Sequence, residues 1–561
     1  MSLAAVRRTA ALLSCLGWFP AAHAADPGDT AIVHLRPIDA GTWAIELSTD
    51  AKLDALRFEV DGQAVEVTVD EAAPDRLTLR AVPPDAQVLR VRDRDGTSLA
   101  ALRLADDRVD GAQRAPGDWT VYHVMVGHFA SGSGVNDGEI DGWRHKQYVG
   151  GDLQGVLERA DHLAALGIDA VWLSPIFQAG TSHGYDVENY YRIGDRVAVP
   201  DDPEASLALF RQVRDALAER GIDVILDLPL NHASRAYDRK NGSPSGLRPR
   251  MTAARQEAEK TWESWGSPYR YWNFSHDDTR RFLIEVGRHW LTEEGVAGLR
   301  LDYVRGVPHD FWAEFYAAMQ DAKPGAWLLG ECWDDGGGAE ANAAEIARYY
   351  AAVDGRPQFD SLLDFPMQIV LTNVFARRGQ DVQTLENWLQ STAARYDATA
   401  PDGRAGRPAL FLDNHDVARF LAWTDDDRRL TAALGFIAAL SHPLVMFYGT
   451  ETGLAHAGGR PGFTDASRVP MVWGEALDAD LLARTQTILN ARRDYPVLRR
   501  GARRPLHADA DTLVFAKVAP SADVAHAVVG VNLSDQSRTI ELPVEGLGAA
   551  AGTYATLYVG G

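Results

Sequence analysis

The feature that most constrains this chain is a repeating alternation that begins near residue 121. Short apolar runs fall at 121–126, 170–173, 223–228, 297–301, 326–329, 361–363, 409–412 and 444–447. Between them lie stretches with apolar residues three and four apart, at 153–166, 206–220, 279–294 and 311–322, the period of a helix with one buried face. Parallel strands need a long crossover, and a helix is the usual one, so strand–helix alternation selects a parallel sheet; eight such units select closure. The chain is therefore predicted to be α/β, with a (β/α)8 TIM barrel over 118–500.

The 561 residues exceed what one core serves, so flanking domains are expected. Residues 26–115 read as short alternating runs, such as 64–69 and 87–91, broken by Asp, Gly and Pro, which predicts an N-terminal β-sandwich-like domain. Strand-like runs return at 512–518, 526–532 and 538–542, predicting a C-terminal antiparallel β domain over 501–561. One connection, 233–276 after the third strand, is polar and rich in Gly, Pro, Arg and Trp and should form a short subdomain at the barrel mouth.

Arg7 and Arg8, an apolar run and the small-x-small triplet Ala22-His23-Ala24 make 1–24 an expected signal peptide, cleaved after Ala24, with a periplasmic or extracellular product. Cys15 leaves with that segment, so Cys332 alone remains and no internal disulfide can form. The net charge is −22, and loss of the two signal arginines makes it more negative still. Polyanions such as nucleic acid are poor partners for that surface, whereas a neutral ligand is compatible with it. No membrane contact is expected once the signal is removed.

In a barrel the reacting groups stand at the C-terminal ends of strands, so polar residues that interrupt an apolar run there carry the functional reading. Four strand ends qualify: Asp227-Leu228-Pro229-Leu230-Asn231-His232, Gly298-Leu299-Arg300-Leu301-Asp302, Gly330-Glu331-Cys332-Trp333 and Phe411-Leu412-Asp413-Asn414-His415-Asp416. Taken singly, an Asp ending a strand reads equally well as a helix cap, and a lone His or Tyr as packing. Arg300 and Asp302, two apart on one strand, point the same way, so the guanidinium can hold the carboxylate ionised.

These four segments, in this order, resemble the signature regions of the α-amylase family, glycoside hydrolase family 13. The resemblance runs from about residue 121 to the C-terminus and includes 167–175 and His183-Gly184-Tyr185-Asp186. It implies a retaining glycosidase with Asp302 as nucleophile, Glu331 as acid/base and Asp416 gripping sugar hydroxyls, the first two about 5–5.5 Å apart. It further implies that Arg300, His232, His415, Tyr185 and His183 line the pocket. Trp333 either stacks on the leaving sugar or packs in the core, Asp227 is either structural or functional, and Asp186 would pair with Arg419.

The pattern departs from the family at its usual calcium site: Tyr271 and Gly306 stand where an Asp and a His would. A different Ca2+ site is expected in the loop after the first strand, from Asn136, Asp137, Gly150 and Asp152; the alternative is a turn-rich loop. No organic cofactor is implied. The resemblance points to hydrolysis of α-1,4 bonds in maltooligosaccharides, starch-derived dextrins or cyclodextrins through a covalent glycosyl-enzyme, with a homodimer formed through the N-terminal domain. The alternatives are an α-glucanotransferase on the same scaffold and a non-catalytic carbohydrate-binding homologue.

Overall fold

The computed structural model describes residues 116–134, 148–237, 269–334, 336–397, 407–454, 456–457, 465–518 and 526–543, with Leu56, Val65, and the strands named below that fall outside those spans. The chain divides into two compact units, one of Met1–Ala115, Ala438–Ser441 and Asn490–Gly561, the other of Pro116–Ile437 and His442–Leu489.

The second unit holds the barrel. Its first six strands are Thr120–Val124, Ala170–Leu173, Asp223–Leu228, Gly298–Leu301, Trp327–Gly330 and Ser361–Leu362, each parallel to the next, and the last strand, Leu444–Phe447, pairs parallel with the first. The gap between sixth and last is closed by Ala409 and Leu410, which bridge to Leu363 and Leu444. The expected run 409–412 thus gives two ladder residues rather than four. Beyond them the Leu412 carbonyl accepts from Gln368 Nε2 at 3.2 Å and the side chains of Asp413 and Asn414 take over loop amides, so the chain leaves the sheet.

Alternation along each strand sends one set of side chains into the barrel, where Val121, Trp172, Ile225, Trp327, Leu329, Phe411 and Val445 form one cluster. Two positions further on, the same inward direction carries His123, Asp227 and Glu331 toward the mouth. That step of two is what converts an apolar run into a functional strand end.

Helices begin where their caps dictate. Asp202 accepts from the Ala205 amide at 2.9 Å with Pro203 in the first turn, so Pro203–Ala218 starts three residues earlier than its apolar period suggests. The expected helix 153–166 is interrupted at Arg159, giving Leu153–Glu158 and Ala160–Ala165. Of the long third connection, His232–Ser234, Leu247–Arg248 and Tyr269–Trp272 form a small antiparallel sheet with His232 opposite Tyr271.

The first unit contains two four-stranded antiparallel sheets, one of Ala31–Asp39, Thr42–Ser48, Ala73–Arg80 and Glu66–Asp70, the other of Gln63–Ala64, Arg57–Val60, Val88–Arg92 and Ser98–Arg103. Its C-terminal sheet is built on Ala502–Ala508, Thr512–Val518 and Ala527–Asn532, extended by two-residue pairings of Gly17–Trp18 and Ala555–Thr556. The run 538–542 is not a strand. Asn532, Ser534 and Gln536 bond one another in a turn, and Arg538 reaches back to Asp511 at 3.2 Å. Strand Ala502–Ala508 escapes the alternation rule because Arg503, Arg504, Pro505 and His507 leave little apolar period; a proline is tolerated there because the strand is an edge.

Candidate active site

Arg300 is fully buried at the centre of the mouth, its Cα in register with Asp227 on the third strand and Leu329 on the fifth. Its Nη1 donates to Asp227 Oδ1 and to Asp302 Oδ1, both at 2.8 Å, and its Nη2 lies 2.9 Å from Glu331 Oε2. One guanidinium therefore binds three carboxyl groups from three adjacent strands. Trp172 and Tyr185 face it with their rings at 5.0 and 5.7 Å.

Glu331 is further held by the chain that follows Asp302. Tyr303 adopts a left-handed conformation (φ 43), and its amide donates to Glu331 Oε2 at 2.9 Å, while Trp333 Nε1 donates to Oε1 at 3.2 Å. A non-glycine residue in that region is strained, and here the strain aims an N–H at the acid. Asp416 accepts from Arg468 at 2.8 Å. Burial, then the Asp416 charge, raise Glu331 above the usual carboxylate range against the pull of Arg300.

Burial also raises Asp302 well above that range, with Arg300 opposing and the neighbouring carboxylates adding to the rise. The expectation that Arg300 keeps Asp302 ionised is thus too narrow, because its charge is divided among Asp227, Asp302 and Glu331. Burial thus raises Asp227, Asp302 and Glu331 alike, with Arg300 pulling each of them back.

Asp227 is not a helix cap. It accepts from Trp172 Nε1 at 3.0 Å, Tyr185 Oη at 2.8 Å and Arg300, and burial pushes it up to about 6. Its task is to orient the arginine and the tyrosine. The Tyr185 ring lies parallel to that of His415, with its hydroxyl 2.8 Å from His415 Nε2. His232 Nε2 meets the Tyr185 carbonyl at 3.1 Å, and burial lowers this histidine to about 4, so it is neutral. His183 Nδ1 accepts from the Tyr185 amide at 3.1 Å. Asp302, Glu331, Asp416, Arg300, His232, His415, Tyr185 and His183 thus form one connected network.

Trp333 stacks face to face on Phe365 at 4.5 Å, so one indole face is committed to packing. Asp186 bonds Thr181 and the Gly180 amide, and Arg419 donates to the carbonyls of Ser467 (2.9 Å) and Tyr448 (2.6 Å), so the expected pairing of Asp186 with Arg419 is replaced by these contacts. Arg468, the residue that does hold Asp416, comes from an aperiodic segment after the last strand and has no signal in sequence.

Asn136 and Asp137 lie outside the described residues. Asp152 caps helix Leu153–Glu158: Oδ1 accepts from the amides of Gly155 (2.6 Å) and Gly132 (3.1 Å), Oδ2 from the amide and hydroxyl of Ser133 (2.9 and 2.5 Å). A carboxylate has about four lone-pair directions, and these bonds use them, so Asp152 does not fit as a calcium ligand. At the family's usual calcium position, the Asn231 side chain occupies the space above Gly306, where an added Cβ would meet its Oδ1 at 2.2 Å.

A model of the α-amylase catalytic domain matches residues 124–272 and 271–517. A cyclomaltodextrinase from a Bacillus species is 30% identical over 406 residues, covering 68% of this chain and 67% of that protein. Neopullulanase 2 of Thermoactinomyces vulgaris is 28% identical over 455 residues, covering 76% and 71%. Among solved structures, an Anoxybacillus alpha-amylase superposes with a TM-score of 0.65 at 25% identity over 80% of this chain and 98% of that one.

Proposed function

The chain belongs to the α-amylase family of glycoside hydrolases, and from that premise we propose that it is a retaining α-glucan hydrolase cleaving α-1,4 bonds of maltooligosaccharides, dextrins or cyclodextrins. The observation that carries this reading is the single buried guanidinium of Arg300 in contact with both Asp302 and Glu331. Two carboxyls that share one cation face a common space, as a double displacement needs.

In that reaction the ionised Asp302 carboxylate attacks the anomeric carbon as Glu331 passes its proton to the departing glycosidic oxygen. Glu331, now ionised, then takes a proton from water, whose oxygen attacks the anomeric carbon and releases Asp302 as carboxylate. The upward shift of Glu331 by burial supports it as the proton carrier, and the His415–Asp416 contact at 3.0 Å supports a role for that pair in binding sugar hydroxyls. The substrate class follows the relatives named cyclomaltodextrinase and neopullulanase.

The test is a product time course from maltoheptaose, pullulan and β-cyclodextrin for the wild type beside Glu331→Gln. Short maltooligosaccharides from the wild type alone support the reading; products longer than the substrate point to transfer, and no turnover by folded protein refutes catalysis. We further propose export directed by 1–24 and a homodimer through the N-terminal domain, checked by N-terminal sequencing and light scattering of the exported protein. A calcium ion in the loop after the first strand is proposed to rest on Asn136, Asp137 and the Gly150 carbonyl, and a metal assay of Asn136→Ala/Asp137→Ala beside wild type checks it.

A further inference from the structure

His415 is ringed by four aromatic side chains: His123 at 4.9 Å, Tyr185 at 5.5 Å, Trp172 at 6.1 Å and Phe447 at 6.5 Å between centroids. Its Nε2 faces the Tyr185 hydroxyl at 2.8 Å and Asp416 Oδ2 at 3.0 Å. An ionised carboxylate can only accept, and the tyrosine proton is already given to Asp227. Nε2 must therefore carry the hydrogen, which makes Nδ1 a bare acceptor, and that atom is buried without a hydrogen bond.

The donor that Nδ1 lacks has one source among the four rings. The Trp172 N–H is spent on Asp227, as is the tyrosine proton, and Phe447 has none. His123 is fully buried, stacked on Trp172 at 3.7 Å, and neither of its ring nitrogens is hydrogen bonded. Burial and the surrounding cationic groups, Arg300, Arg468 and Arg419 among them, hold it neutral, so it keeps one N–H. An idle buried polar group costs about 1–3 kcal/mol, and a phenylalanine would fill the same space without that cost.

We propose that His123 is a positioning residue for the reaction: its N–H, across one bridging water, holds His415 Nδ1 and so fixes the hydrogen of His415 on Nε2, toward Asp416 and the substrate hydroxyls. The inference deepens the hydrolase reading and rests on it for its kinetic consequence, but the tautomer is measurable without turnover.

The experiment is long-range 1H–15N NMR on the full chain labelled at histidine nitrogen, with His415 assigned by its loss in His415→Gln, beside steady-state kinetics on maltoheptaose. Wild type should show His415 hydrogenated at Nε2 with Nδ1 hydrogen bonded. His123→Phe should lose that Nδ1 shift and show mixed tautomers, with kcat down roughly 10- to 100-fold and KM within about twofold, and His123→Gln, which keeps a donor, should recover most of both. A wild-type His415 carrying its hydrogen on Nδ1 overturns the proposal even if His123→Phe fails to fold. So does a His123→Phe enzyme with wild-type kcat, or equal losses in the Phe and Gln variants with an unchanged tautomer. Absence of any α-glucan turnover in the wild type would sink the hydrolase reading while leaving the tautomer result to stand by itself.

Discussion

Asp364 offers a clean measurement of what burial does to a carboxyl in this barrel. It caps helix Phe365–Leu371 through Oδ1, which accepts from the Met367 amide at 2.9 Å, and burial pushes it from 3.8 to about 7. With a folded-state value above the unfolded one, the native state holds the proton longer, so stability falls as pH rises from about 4 through 7 and stays low beyond. The interval is worth roughly 4 kcal/mol, at about 1.4 kcal/mol per pH unit. Asp364→Asn retains an oxygen for the cap and cannot ionise. The variant should match wild type within about 1 kcal/mol at pH 4 and exceed it by several kcal/mol at pH 8. Urea denaturation followed by tryptophan fluorescence at pH 4, 5.5, 7 and 8 reads the difference, and subtracting wild type removes the contribution of other carboxyls. An advantage that does not grow with pH, or an Asn variant weaker at pH 8, refutes the claim that burial keeps this carboxyl protonated.

Arg300→Lys keeps the charge but cannot span three carboxyls, so kcat on maltoheptaose should fall roughly a hundredfold or more; a rise in KM with kcat intact would show that the arginine only binds substrate. Asp152→Ala removes a helix cap and the anchor of Gly132 and Ser133, costing roughly 2 kcal/mol. The resulting fall in Tm should be equal in calcium and in EDTA, and a loss seen only with calcium would make Asp152 a ligand after all. Arg419→Ala should destabilise by roughly 3 kcal/mol, through its two carbonyl bonds and its packing on Phe447, while leaving product lengths unchanged; altered product lengths in folded protein would return it to the substrate pocket.

Much of the barrel was legible because period two and period 3.6 are imposed by backbone geometry, and the strand ends because a carboxylate on an apolar inward face needs a reason to be there. Asp227 was ambiguous for a physical cause: capping and orienting both use an acceptor at a strand end, and only the positions of Trp172, Tyr185 and Arg300 decide between them. Trp333 was ambiguous because sequence does not say which face of an indole is covered. Arg468 and the Tyr303 amide had no signal, one lying in an aperiodic loop and the other being a backbone atom aimed by a single positive φ. His123 stood in the first strand as one more residue of a buried run; its idle nitrogens become visible only when the partners of Trp172 and Tyr185 are counted. Strand Ala502–Ala508 and the absent strand at 538–542 show the rule failing in both directions where a sheet edge needs little apolar surface.

The charge balance of the mouth bears on why its histidines are buried so thoroughly. A glycosidic bond breaks through an oxocarbenium-like state, in which positive charge grows on the sugar. A pocket with four carboxyls against two arginines favours that charge, whereas an imidazolium beside the sugar would oppose it. Burial lowers His123, His232 and His415, each of which therefore serves as a neutral hydrogen-bonding group. Being neutral, each can present either nitrogen as donor, and something must choose. For His232 the Tyr185 carbonyl chooses Nε2, since a carbonyl accepts. For His415 the choice comes from Asp416 and the tyrosine hydroxyl on one side and falls to His123 on the other. Holding the histidines uncharged thus lets the carboxylates set the sign of the field and leaves orientation to hydrogen bonds that add no charge to it.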